Sequence, residues 1–72
     1  METKSVKEIK VGDRIAVTEP EATAVVMRKE SSKIFRSVEG CFRLDVKLET
    51  GPHAGEWIKD QHLPALMEVE LA

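Results

Sequence analysis

The chain carries a single cysteine, Cys41, among 72 residues. One thiol closes no internal disulfide, and a small domain without such staples fits a reducing compartment. No apolar run approaches the roughly 20 residues that a membrane-spanning helix needs. The opening stretch METKSVKEIK lacks the apolar core of a secretory leader. These absences lead to the expectation of a cytoplasmic protein with no membrane segment.

Chemistry-bearing clusters are scarce as well. The four glycines stand apart, so no loop is built to cradle a phosphate. Cys41, His53 and His62 are the soft metal ligands, and they are single and spread out. A zinc site draws four ligands, usually from close pairs. Neither metal nor cofactor is therefore expected. A Cys–His nucleophile pair would need a third group to orient the base, and nothing in the sequence supplies one. Asp45, Asp60 and the glutamates fall on outward positions, which give a general acid no buried setting. The expectation is a chain with no catalytic residues, not an enzyme.

What is present is an ordinary globular balance, 42% hydrophobic and 33% charged. The length makes one domain, residues 1–72, with residues 1–10 as an N-terminal arm. A chain this short buries only roughly 60% of its unfolded surface. It must hold together by packing, by dimerising or by binding something. The net charge of −2 hides an asymmetry. Residues 28–47 hold six basic and three acidic groups, whereas residues 48–72 hold one basic and five acidic. A basic middle leaves nucleic-acid binding open, and a solvated charged surface is the plainer reading.

Strand patterns dominate. Ser5-Val6-Lys7-Glu8 has the form of a capping box and predicts one short helical turn. In VGDRIAV, residues 11–17, apolar Val11, Ile15 and Val17 share a parity, which predicts a first strand. ATAVVMRK, residues 22–29, is apolar on both faces at Val25, Val26 and Met27. That predicts a central strand covered on both sides, or a strongly bent one. A further short strand is expected at Ile34-Phe35. CFRLDVKLE is the cleanest signal: Phe42, Leu44, Val46 and Leu48 alternate with Arg43, Asp45, Lys47 and Glu49. The alternating charges of its outward face suit cross-strand ion pairs. GPHAG, residues 51–55, predicts a tight hairpin turn, followed by a strand at Glu56–Lys59. Residues 60–63, before Pro64, read as a 3₁₀ turn. The last strand is expected to point Met67, Val69 and Leu71 inward and Glu68 and Glu70 outward.

About five short strands with a turn every 8 to 12 residues read as an all-β, mostly antiparallel small barrel. The chain resembles the SH3-like barrels over about residues 11–70. VGDRIAV is similar to their first strand, and EWIKDQHLPALMEV to their aromatic strand, 3₁₀ turn and last strand. The resemblance implies a five-stranded barrel. A narrower likeness is to the KOW motif, in which a Gly-Asp-containing strand runs directly into a Gly-Pro-x-x-Gly loop. Here Gly12-Asp13 and Gly51–Gly55 lie far apart, and no KOW function carries over.

Trp57 neighbours Ile58, and adjacent strand residues face opposite ways, so only one of them points inward. A small domain's need to bury its largest apolar side chain favours a core Trp57, with Ile58 packing under residues 1–10. In the other arrangement Trp57 lies partly exposed beside the 51–55 turn. It would then anchor a protein or peptide partner together with His53, Arg43 and Phe35. The alternative surface is a groove for single-stranded nucleic acid built from Arg28, Lys29, Lys33, Arg36, Arg43 and Lys47, with Phe35 and Trp57 for stacking. A third possibility is a homodimer formed through an edge strand. The functional expectation is thus a non-catalytic binding module for a protein or peptide.

Overall fold

The computed structural model describes residues 2–18, 21–33 and 40–72. Six strands follow in order: β1 (Thr3–Ser5), β2 (Arg14–Thr18), β3 (Glu21–Ser32), β4 (Cys41–Leu48), β5 (Trp57–Pro64) and β6 (Glu68–Glu70). A single 3₁₀ turn, Val6–Glu8, separates β1 from β2. Every pairing is antiparallel. One sheet has the order β2-β3-β4-β5, and the other pairs β1 with β6. An antiparallel bridge between Ile15 and Leu71 links them. The all-β, antiparallel expectation holds. The pairing of the described strands does not close into a barrel.

The core occupies one face of the larger sheet. Ile15, Ala22, Ala24, Val26, Leu44, Val46 and Leu48 are buried there, and Ile58, Leu63, Val69 and Leu71 pack against them. The alternation in β4 therefore assigns the inner face correctly. Val6 and Ile9 are both fully buried in this cluster. Within the N-terminal stretch, Val6 and Ile9 thus complete the core. The Val6 N–H donates to Met67 O and the Lys7 N–H to Ala65 O, each at 2.9 Å, which ties the 3₁₀ turn to the end of the chain. Ser5 Oγ donates to Glu8 Oε1 at 2.9 Å, so the Ser-x-x-Glu signature marks the turn through a side-chain pair.

Two irregularities bend the sheet at the same level. Met27 is an extra residue in β3, where the register against β4 shifts between Val26 and Arg28. Val26 stays in the core and Met27 is exposed, so the apolar run Val25–Met27 reflects a bent strand. In β5 the register against β4 shifts between Leu44 and Val46. Asp60 absorbs that shift with a left-handed backbone, φ 59°. The Asp60 N–H donates to Asp45 Oδ1 at 2.9 Å. Asp45, expected outward in water, is only 7% exposed, because its carboxylate holds this bulge.

The bulge also corrects the expected 3₁₀ turn at residues 60–63. With one residue absorbed at Asp60, the chain re-enters the ladder and pairs Gln61 to Pro64 with Leu44 to Cys41. Chain reversal comes later, at residues 65–66, where Met67 N–H donates to Pro64 O at 3.1 Å. Met67 consequently lies outside the core, as does Val11. Val11 sits in the turn Lys10–Asp13, closed by the Asp13 N–H to Lys10 O bond at 3.0 Å, with Gly12 at positive φ. The strand expected at Ile34-Phe35 lies outside the described residues.

Leu44 is 1% exposed at the centre of the larger sheet. Truncating such a side chain costs about 2–5 kcal/mol, against the roughly 5 kcal/mol at the low end of domain stabilities. Leu44→Ala should therefore remove about half or more of the stability and move the midpoint of urea titrations followed by circular dichroism sharply downward. Val11→Ser should shift the same curve by less than about 0.5 kcal/mol.

Candidate ligand-binding face

The β4–β5 hairpin positions the candidate site. Leu48 N–H donates to Glu56 O at 2.8 Å and Gly55 N–H to Leu48 O at 2.7 Å, closing the loop over residues 49–55. Gly51 and Gly55 both take positive φ, 84° and 93°. A side chain at Gly51 would meet Glu21 O at 3.1 Å, so conformation and space both call for glycine. The loop is also stitched to β3. Glu49 N–H donates to Thr23 O at 2.8 Å, and Thr23 N–H donates to Thr50 Oγ1 at 2.9 Å. GPHAG is thus a hairpin turn fixed on both sides, with Trp57 starting the strand that leaves it.

The register decides which way Trp57 points. Val46 is buried and pairs with Ile58, while exposed Lys47 pairs with Trp57. Ile58 therefore faces the core and Trp57 faces out, 46% exposed. This corrects the assignment of Trp57 to the interior. The domain fills its core with aliphatic side chains, helped by Val6 and Ile9, and leaves its largest apolar group outside. An open groove beside it is lined by Leu48, His53, Gly55, Glu56, Trp57 and Ile58. The His53 Nδ1 lies 2.9 Å from Glu56 Oε2, which holds the ring at the groove's rim.

The outer face continues across the sheet. Arg14, Val25, Lys47 and Trp57 form one row through four strands. Lys59, two residues after Trp57, puts its Nζ 5.8 Å from the indole centroid, in cation–π range. Sequence reasoning passed over Lys59, although the period of two in a strand places it beside Trp57.

The remaining candidates separate. His53 joins Trp57. Arg43 pairs instead with His62, well along β4 from Lys47. Phe35 and Arg36 lie outside the described residues. Arg43 donates to Asp60 Oδ1 and Glu30 Oε2, each at 2.8 Å, and Arg28 Nε donates to Glu30 Oε1 at 2.8 Å. The cross-strand ion pairs expected on β4 are thereby present, and they neutralise two members of the proposed phosphate groove. Lys29 turns to the inner side. Its Nζ donates to Lys7 O at 2.9 Å and Ile9 O at 2.6 Å, and sits 4.3 Å from the Phe42 centroid. Burial pushes the Lys29 ammonium below the usual lysine range, and the Asp13 charge opposes this. Lys33 is exposed. Among the described members of the basic set, Lys29 is thus turned away from the carboxylate-paired Arg28 and Arg43.

Cys41 is buried. His62 Nδ1 meets Ser32 Oγ at 2.9 Å. Among the described residues, no three of His, Cys, Asp and Glu group so as to hold a metal ion. No helix among them is long and apolar enough to cross a membrane. No family model, no curated protein and no solved structure matches this chain.

Hydrogen bonding from Arg28, reinforced by the charges of Arg28 and Arg43, holds the Glu30 carboxyl below its usual 4.5. A carboxylate lowered on folding contributes stability that is in place above its unfolded value and is lost as pH falls through the folded one. Side-chain carboxyl NMR should show Glu30 titrating below 4.5. In an R28A/R43A variant the midpoint should rise, and the acid-side stability loss linked to Glu30 should disappear.

Proposed function

We propose that this chain is a non-catalytic module that recognises a protein or peptide partner through the face around Trp57. The observation that carries the reading is the half-exposed tryptophan set at an open groove. A small domain has every energetic reason to bury such a side chain. Large aromatic groups left at a surface are enriched among the residues that dominate interface energies. The loop at 49–56 is fixed by backbone bonds to β3 and β4, so the groove is pre-formed and binding costs little ordering.

An SH3-like barrel remains the fold class we propose. The last strand returns beside the first strand of the β2–β5 meander, through the Ile15–Leu71 bridge. That return is how a small sheet begins to close on itself. The nucleic-acid alternative draws less support, because Arg28 and Arg43 are matched to carboxylates and Lys29 serves the 3₁₀ turn.

Selection from a random peptide display library tests the reading. Peptides should enrich on the wild-type protein and shift its indole resonance, which is unambiguous because the chain has one tryptophan. Trp57→Ala should keep the fold, with a stability change of about 1 kcal/mol or less, and should weaken the same peptides at least about tenfold, or roughly 1.4 kcal/mol. Enrichment that is indifferent to Trp57→Ala would remove Trp57 from the site.

A further inference from the structure

Resting on the reading of Trp57 as a partner-binding residue, we infer that its ligand is an acidic peptide segment bearing one large apolar side chain. Charge complementarity points to this ligand. The arginines among the described residues are matched: Arg14 with Glu49 at 3.1 Å, Arg43 with Glu30 and Asp60 at 2.8 Å each, and Arg28 with Glu30. Lys47 and Lys59 differ. Both are exposed, and among the described residues neither has a carboxylate within ion-pair distance. They are also the two cations that flank Trp57, one across the ladder and one along the strand. Lys7, Lys10 and Lys33 likewise lack a carboxylate at ion-pair distance among the described residues, but Lys47 and Lys59 are the lysines that the strand register sets beside the exposed aromatic.

The surface around them is apolar enough to hold a side chain. Val25 is half-buried next to Lys47 in the same row, and Met27 is exposed on the neighbouring stretch of β3. An extended peptide puts residues two apart on one face. An apolar residue with carboxylates near it on the same face therefore offers the apolar group to Trp57 while the long, flexible side chains of Lys47 and Lys59 reach the carboxylates. A nucleic-acid strand fits less well. It calls for a continuous basic track and repeated stacking, whereas among the described residues this face offers one exposed aromatic and the two lysines beside it.

The probes are blocked synthetic peptides read by Trp57 fluorescence and indole NMR. The first has one leucine, glutamates two positions either side, and serine elsewhere. The second replaces the glutamates by glutamines, and the third replaces them by lysines. A single-stranded oligonucleotide of matching charge is the fourth. The acidic peptide should bind at least about tenfold tighter than the glutamine peptide. The K47E/K59E variant, changed only at exposed positions, should lose that preference and gain affinity for the lysine peptide. This charge swap supports the inference independently of any loss of binding.

Equal binding of the acidic and glutamine peptides at Trp57 overturns the inference and leaves the partner-binding reading standing. Preference for the oligonucleotide overturns it in favour of nucleic acid. Indole shifts that follow protein concentration alone, and vanish in an L66S/M67S variant, overturn it in favour of a second copy docking its exposed Leu66 and Met67. If the display selection above also yields no ligand for Trp57, both readings fall together.

Discussion

Val6 and Ile9 fill the inner face of the larger sheet, and neither has any accessible surface. Four strands carrying mainly valine, alanine and leucine on that face cannot cover themselves, since each strand buries one side only. The 3₁₀ turn supplies the cover. It is held from three directions: Val6 and Lys7 bond to the chain's end, Ser5 meets Glu8, and Lys29 reaches across to the carbonyls of Lys7 and Ile9. The last contact ties up an ammonium that loses hydration there. It is sustained because two backbone oxygens and the Phe42 ring take the place of water.

This arrangement explains why an aromatic is left outside. The inner face is completed by two aliphatic side chains, and Ile58, opposite buried Val46, takes the inward position. The bulges at Met27 and Asp60 act on the other side. They fall on either flank of Asp45 and bend the sheet where β3, β4 and β5 run together. A buried carboxylate holding a left-handed backbone amide is a rigid join. Trp57 and Lys59 stand on one side of it and the Arg43 network on the other. A single buried acid thus separates a matched charge cluster from an unmatched one.

Much of the fold was legible because β4 keeps strict alternation from Phe42 to Leu48, and because GPHAG with its glycines announces a hairpin. The capping signature at Ser5–Glu8 located the only helical turn among the described residues. What escaped was set by the bulges. A period of two fails wherever one extra residue enters, so Asp45 looked solvated and residues 60–63 looked like a turn. Val11 and Met67 misled for a related reason: both continue a strand's parity beyond the point where the backbone has turned. For Trp57 and Ile58 the pattern is symmetric, since two neighbouring apolar residues carry no information about which one faces in. Only pairing with β4, itself fixed by Val46, breaks that symmetry. The candidate site was therefore readable as a set of residue types, but its composition was not. His53 and Lys47 join it, Arg43 leaves it, and Lys59 enters.

The left-handed turn at Asp60 has a consequence for how the molecule survives in a crowded solution. Among the described residues no strand lies beyond β5, which leaves a long flank of backbone groups open. A straight flank of this kind templates further strands and leads to aggregation. Here the flank is broken in its middle, where Lys59 and Asp60 place opposite charges at the break and Pro64 removes a donor at its end. The same irregularity that seats a carboxylate inside the protein makes its open edge a poorer template for a further strand.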